Sequence, residues 1–332
     1  MSIIIQHKNI LKLSEQELHV LKQFVSKAHN ATAFHNIDFI VYYSKYFNLA
    51  TEVISAYQNN ALVACLIISY AGNQKVYLSP FQKSLSTYGG PISLPDFRHL
   101  EVALLRRLKK YCFKKGCTAY IKAGPKSDAE LFRKSGYITN TIPTSLINLH
   151  KTEDDLWMSI ENRIRRSIKK AWNEGVSVVK VPYDNFKELT TVYNDLCIRT
   201  QLHFESESYY LNLAEIFKNG DVGLSVYYAK LNDKVISAMA VLEFGDTINP
   251  WFGGTLTDFV KTGAGSLIYW EIMKDGNKQG FKWFDFLGLD VGPIAFYKRG
   301  FGGVDYDVMH ATYKPYYMRI LNRINKIVNK IK

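Results

Sequence analysis

What the chain lacks narrows its chemistry first. Its four cysteines, Cys65, Cys112, Cys117 and Cys197, form no CxxC pair and no metal-ligand spacing. That excludes a disulfide framework or a zinc ribbon and points to buried, reduced thiols in a cytosolic protein. The eight histidines occur singly, and HxxxH, GxSxG and Walker loops are missing, so metalloenzyme, hydrolase and kinase readings have no support. Long hydrophobic runs are also scarce. The longest, residues 61–70, is about half of what a helix needs to cross a bilayer. The opening MSIIIQHKN has neither the apolar stretch nor the cleavage site of a secretory signal.

What is present is an ordinary globular composition with a basic excess. Hydrophobic residues make up 47% and charged residues 22% of 332 residues, far from the signature of disorder. Aromatic content is high at 14%, with 22 Tyr and 19 Phe, which suits thick cores and the lining of a wet cleft. A formal charge of +12 calls for phosphate-rich ligands, nucleic acid or anionic lipid as partners.

The chain also reads as one unit written twice. KKGCTAYIKAG at 114–124 lies over KQGFKWFDFLG at 278–288, and DAELFRKSGY at 128–137 lies over GPIAFYKRGF at 292–301. Gly89 and Gly253, Gly116 and Gly280, and Gly136 and Gly300 are each separated by 164 residues. A period this long means tandem domains and not a solenoid. Each copy parses in the same order. Polar turns at Asn59–Asn60 and Asn232–Asp233 open apolar runs that predict antiparallel hairpins. Double glycines follow, Gly89–Gly90 and Gly253–Gly254, where the backbone either turns sharply or lets a ligand come close. Val102, Leu104, Leu105 and Leu108 in one copy, and Leu267, Ile268 and Ile272 in the other, recur at helical spacing. Gly116 and Gly280 are expected to cap those helices. Strands are then predicted over 117–121 and 281–287, followed by short helices and a final strand such as 304–313.

These residues carry a resemblance. A strand, a glycine loop and then AELFRKSGY or AFYKRGF resembles the closing motif of the GNAT acyltransferase fold. Two such domains joined by the basic segment RIRRSIKKAWNEGV at 163–176 resemble the FemAB-like family and its BioF2-like or CelD-like relatives. The resemblance covers nearly the whole chain. It implies an α/β protein with mixed sheets in two tandem GNAT-like domains: a degenerate first domain over 1–150, a second over 151–315 that holds the active cleft, and a C-terminal helix over 316–332.

The resemblance also distributes roles. The chemistry it implies is aminolysis, in which a neutral amine attacks a thioester or ester and the enzyme supplies a polarising donor and an exit for a proton. Lys298, in the FYKRGF motif, takes the place of the family lysine that approaches the reacting carbonyl; its bland alternative is a solvated helix lysine. Asp285 lies by alternation on a face with Phe281, Trp283 and Leu287, where a carboxylate is costly unless paired or functional. It either holds the substrate amine and accepts its proton or forms a salt bridge. Arg165 and Arg166 fall on the outer face of a helix whose inner stripe is Ile160, Ile164, Ile168 and Ala171. By resemblance they grip the diphosphate of a nucleotide-linked or lipid-linked sugar or peptide acceptor, with Tyr88, Gly89 and Gly90 beside it.

Donor and location complete the expectations. No tightly bound cofactor and no metal is expected. KTGAGS at 261–266 offers Lys261, Gly263 and Gly265 as an imperfect coenzyme A loop before a helix; FemAB-type proteins take their acyl group from aminoacyl-tRNA instead. The donor is therefore aminoacyl-tRNA or acyl-CoA. From 316 to 332 basic residues alternate with Ile, Leu and Val at helical spacing, a helix that lies on a membrane surface or docks on the first domain. A cytoplasmic protein, peripheral at the inner face of the cell membrane, follows. Two other readings stand beside a FemAB-like transferase: a CoA-dependent N-acyltransferase of surface-glycan assembly, and a non-catalytic module binding nucleic acid or membrane.

Overall fold

The computed structural model describes residues 3–71, 84–125, 127–181, 186–217, 222–289, 292–318 and 320. The basic helix expected over 316–332 lies, beyond residue 320, outside the described residues. Two compact units emerge: residues 1–142 with 307–332, and residues 143–306.

The chain begins with β1 (Ile3–Asn9), α1 (Glu15–Val25) and α2 (Ile37–Tyr46). Strands β2 (Thr51–Gln58), β3 (Ala61–Ala71), β4 (Ser84–Gly89) and β5 (Ile92–Ser93) lead to α3 (Leu100–Lys115), β6 (Thr118–Ala123), α4 (Ala129–Lys134) and β7 (Ile138–Asn148). The second copy supplies α5 (Glu153–Ser159), α6 (Asn162–Asn173), β8 (Ser177–Val181), α7 (Lys187–Thr200) and α8 (Glu207–Phe217). It continues with β9 (Gly223–Leu231), β10 (Lys234–Phe244), β11 (Thr247–Thr255), α9 (Ala264–Lys278), β12 (Trp283–Asp285), α10 (Gly292–Arg299) and β13 (Val304–Tyr313).

The predicted hairpins are present in both copies. Asn59–Asn60 joins β2 to β3 with φ of 50° and 63°, and Asn232–Asp233 joins β9 to β10 with φ of 49° and 63°. Two-residue turns with both φ positive match the twist of the strands they join, and Asn and Asp tolerate that conformation. Gly116 caps α3 in the left-handed region at φ 64°, and Gly280 adopts φ 82° just after α9.

In the first unit the sheet runs β1-β2-β3-β4-β6-β13, with β5 on β3. Its core joins Leu104, Leu105 and Leu108 of α3 to Ala119, Ile121 and Ala123 of β6. Burying each of those leucines contributes about 2 kcal/mol. In the second unit the order is β7-β12-β11-β10-β9-β8. There α9 and the predicted stripe of α6, Ile164, Ile168 and Ala171, close the core. All four cysteines are free and buried.

The repeat is visible in the pairing. β6 lies parallel to β4, and β12 lies parallel to β11. Each has an antiparallel neighbour on its other side, residues 310–313 for β6 and 146–148 for β12. The closing strand of each unit therefore comes from the other copy of the repeated sequence. That is why the first unit takes in residues 307–332. Strand β12 is also shorter than the expected 281–287, because Leu287 turns to φ 60° and leaves the extended region.

The first double glycine has a structural reason. Gly89 sits at φ 102°, and a Cβ there would collide with the His35 ring. Thr32 N–H donates to His35 Nδ1 at 3.0 Å, so Nε2 carries the hydrogen and donates to Gly90 O at 3.1 Å. Burial pushes the imidazole down to about 4, from an ordinary value of about 6.5. Between those pH values the unfolded chain binds the proton that the folded one refuses. Stability is therefore unaffected above the unfolded value and declines as pH falls from 6.5 towards 4, by at most about 3 kcal/mol. Denaturant titrations at pH 7.5 and 5 are expected to show this loss, and His35→Gln is expected to flatten it.

Candidate active site

The two units differ at their parallel strand pair. In the first, β4 and β6 stay in register over six residue pairs, Ser84 with Thr118 through Gly89 with Ala123. In the second, β11 and β12 pair only at Thr247 with Trp283 and Ile248 with Phe284. Beyond that point no further pair forms, and among the described residues no strand pairs with 249–255 of β11 on that side. Two features of β11 accompany the opening. Pro250 has no N–H to give to a ladder. In addition, the register against β10 passes from Ala240 with Phe252 to Val241 with Pro250, leaving Trp251 as an extra residue. Such a bulge bends its strand and re-aims backbone groups. At the apex, Asn249 Nδ2 donates to Asp285 O at 3.4 Å and bridges the gap.

The wall opposite β11 is Phe286–Leu287–Gly288, held in an unusual shape. Leu287 and Gly288 adopt φ of 60° and 110°. The buried Asp285 carboxylate accepts from Thr144 Oγ1 at 2.5 Å and from Leu287 N–H at 2.9 Å. Thr144 Oγ1 in turn accepts from Gly288 N–H at 3.0 Å. From α10, Lys298 Nζ donates to Phe286 O at 2.7 Å and Gly288 O at 2.9 Å. Two of the three ammonium donors are thus engaged by this loop. Asp285 and Lys298, chosen separately from the sequence, converge on the same three residues.

At the far end of β11 the N-terminus of α9 meets a group of hydroxyls. Ser237 Oγ lies 2.9 Å from Thr255 Oγ1, and Ser266 Oγ lies 3.0 Å from Tyr297 Oη. A Cβ on Gly265 would stand 3.0 Å from Thr255 Oγ1 and 3.9 Å from Tyr297 Oη. Burial pushes the Tyr297 phenol up to about 12, so it holds its proton at neutral pH. Gly263 is the N-cap of α9 at φ 84°, where a Cβ would strike Ser167 O of α6. Lys261 is exposed, and its carbonyl accepts from Lys170 Nζ at 2.6 Å. The glycine loop thus packs on α6 at Gly263 and faces hydroxyls at Gly265. At this turn Ala264 N–H donates to Thr262 Oγ1 at 3.2 Å, and the Ser266 and Leu267 N–H groups donate to Gly263 O at 3.0 Å.

The basic helix divides its cations. Arg165 Nη1 donates to Trp157 O and Met158 O at 3.2 and 3.1 Å, and Nη2 to Asn162 Oδ1 at 2.5 Å. It closes the C-terminal end of α5. Arg163 donates to Glu161 and lies over the Phe296 ring at 3.8 Å, joining α6 to α10. Arg166 is exposed.

Tyr88, Gly89 and Gly90 lie in the first unit. Tyr88 packs on Phe34 at 4.2 Å between ring centroids, and Lys122 Nζ lies 4.8 Å from its ring centre. These side chains border a cavity of about 610 Å³ that also meets Tyr43, Tyr120 and the hydroxyls of Ser86 and Thr87. Sequence reasoning missed Thr144, Asn249, Trp251 and Tyr297. For Trp251 and Asn249 the signal was Pro250 shortly before the double glycine Gly253–Gly254; for Thr144 no local pattern exists, since it meets Asp285 across 141 residues.

An Acetyltransferase (GNAT) domain model matches residues 159–299. No curated protein matches the sequence. Among solved structures, the chain is similar to FemX, with a TM-score of 0.72 and 13% identity over 98% of this chain and 99% of that one. It is similar to the C-terminal domain of a putative lysylphosphatidylglycerol synthetase from Agrobacterium fabrum, with a TM-score of 0.62 and 11% identity over 94% and 96%. A tandem GNAT protein from the clavulanic acid biosynthesis pathway gives 0.57 and 14% over 94% and 98%. At these identities the likeness is one of fold, and the fold is two GNAT units in tandem.

Replacing Thr144 by Val keeps its shape but removes a donor to Asp285 and an acceptor for Gly288. This substitution is expected to cost about 2–4 kcal/mol in denaturant unfolding and to speed amide exchange at Gly288.

Proposed function

We propose, for a chain that carries a GNAT domain and has the FemAB-like tandem GNAT fold, that it transfers an acyl or aminoacyl group to an amine of a cell-envelope precursor, either a peptidoglycan stem peptide or an amino sugar. The observation that carries this reading is the divergence of β11 and β12 after two residue pairs, against six in the first unit. Among the described residues, it is the second unit whose parallel pair opens and leaves backbone along which a thioester or ester can lie. The FemX likeness and that of the lysylphosphatidylglycerol synthetase domain support an envelope acceptor.

In this reading the acyl carbonyl lies against the bulged segment of β11, and the amine attacks from the side of Phe286–Gly288. A C–N bond forms and the bond to sulfur or ribose oxygen breaks. The proton lost by the amine ends on the leaving group. Lys298, whose ammonium donates to the Phe286 and Gly288 carbonyls, brings positive charge to the oxyanion beside them. Asp285 acts by holding Leu287 in place, and Tyr297 is a protonated phenol at the α9 end of the cleft. Arg166, exposed on α6 of the second unit, grips a phosphate of the acceptor. Arg165 shapes the α5–α6 corner that presents Arg166.

The CoA-dependent reading keeps specific support in Gly263 and Gly265 at the α9 N-terminus, with the matched acetyltransferase domain spanning them. Thermal-shift titration separates the two. Stabilisation by aminoacyl-tRNA and none by acetyl-CoA supports the first, and the reverse supports the second. With the donor so identified, Lys298→Met is expected to lower kcat about 100-fold with little change in KM. Unchanged turnover removes Lys298 from the mechanism.

A further inference from the structure

The first unit carries a second cavity, on the face of its sheet opposite the one beside Tyr88. Along β6, Ala119, Ile121 and Ala123 are buried with α3, while Tyr120 and Lys122 point to the other side. On the α3 side, a cavity of about 540 Å³ lies between α3 and α4. Its lining includes Arg106, Lys109, Lys110 and Lys134, with Phe113 and Tyr313, and includes no carboxylate.

The charge here is concentrated. From Arg106 onward α3 carries Arg106, Arg107, Lys109, Lys110, Lys114 and Lys115 with no acidic residue. Its one acid, Glu101, is buried at the opposite end, accepting from Asn30 and Ser93. Lys109 is fixed in the cavity, donating to Ser135 O at 2.9 Å and lying 5.0 Å from the Tyr313 ring centre. Lys134 shares Glu130 with Arg133. Arg106 and Lys110 are exposed, one helical turn apart, about 6 Å along the axis. That spacing is close to the separation of consecutive phosphates in an extended strand.

An aromatic wall completes the site. Phe113 is 58% exposed yet held in place, its ring perpendicular to that of Tyr317 with centroids 5.2 Å apart and its carbonyl accepting from Tyr317 Oη at 2.7 Å. An exposed ring held beside the exposed cations Arg106 and Lys110 offers stacking and phosphate contacts together, which is how single-stranded nucleic acid is held without reading its sequence. A free phosphate has no use for the ring.

We propose that the α3–α4 cavity of the first unit binds single-stranded nucleic acid, with phosphates on Arg106 and Lys110 and a base stacked on Phe113. This site stands apart from the acyl-transfer reading and survives its failure. The test is fluorescence anisotropy with a labelled single-stranded RNA and DNA of mixed sequence, across a salt series. The double variant Arg106→Ala/Lys110→Ala is expected to weaken binding at least tenfold and to flatten the slope of log affinity against log salt by about 1 to 2. Phe113→Ala is expected to weaken binding about tenfold and leave that slope unchanged. Thermal unfolding of each variant shows that it is folded. No binding by the native protein, or binding that survives both variants, overturns the proposal. So does equal affinity for blunt duplex, or loss of binding to phosphatidylglycerol vesicles while strand binding persists.

Discussion

The short segment Phe286–Gly288 is the point on which the second unit's cleft depends. Left to itself, the chain after β12 would continue as a strand beside β11 and close the sheet, as β6 does beside β4. It is stopped by a left-handed Leu287, a conformation costly for a residue with a Cβ. The strain is offset by bonds from three directions: Asp285 to the Leu287 N–H, Thr144 to the Gly288 N–H, and Lys298 to the carbonyls on either side. A buried carboxylate and a half-buried ammonium are held within the same few ångströms, each satisfied by backbone and hydroxyl groups. Removing one partner leaves the others desolvated and unmatched.

The same constraint explains how two copies of one fold come to differ. Both units share the hairpin, the long helix and the parallel pair that follows it. What separates them is a proline and one extra residue in β11, together with the clamp opposite. The double glycines, equivalent in sequence, serve different neighbours: Gly89 admits the His35 ring, whereas Gly253 lies against the backbone of Ala238 and Met239. In both cases the close approach is by the protein itself. The glycines of the FYKRGFGG tail behave likewise, Gly300 beside Arg163 and Ile164 and Gly302 beside Ser159.

Much of this was legible residue by residue. Asn59–Asn60 and Asn232–Asp233 announced two-residue hairpins, Gly116 and Gly280 ended their helices, and Ile164, Ile168 and Ala171 formed the buried stripe. These signals are local, fixed by turn chemistry and helical period. Asp285 and Lys298 were also visible, as a carboxylate out of place on a strand and a lysine in a recurring motif. Their joint grip on one loop was not. Arg165 read as an outward cation, yet it turns back onto the Trp157 and Met158 carbonyls, because a nearby helix end has unsatisfied acceptors.

The sequence alone determined that there are two equivalent units, their α/β class and the order of their elements, since periodicity, turn residues and the 164-residue register depend only on neighbours along the chain and on self-comparison. Tertiary structure decided which strand closes each sheet and where the sheet opens. Those outcomes turn on pairings such as residues 310–313 with β6 and Thr144 with Asp285. Such contacts join residues far apart in the chain, and the free energy that selects them comes from burial and hydrogen bonding that exist only once both partners are in place.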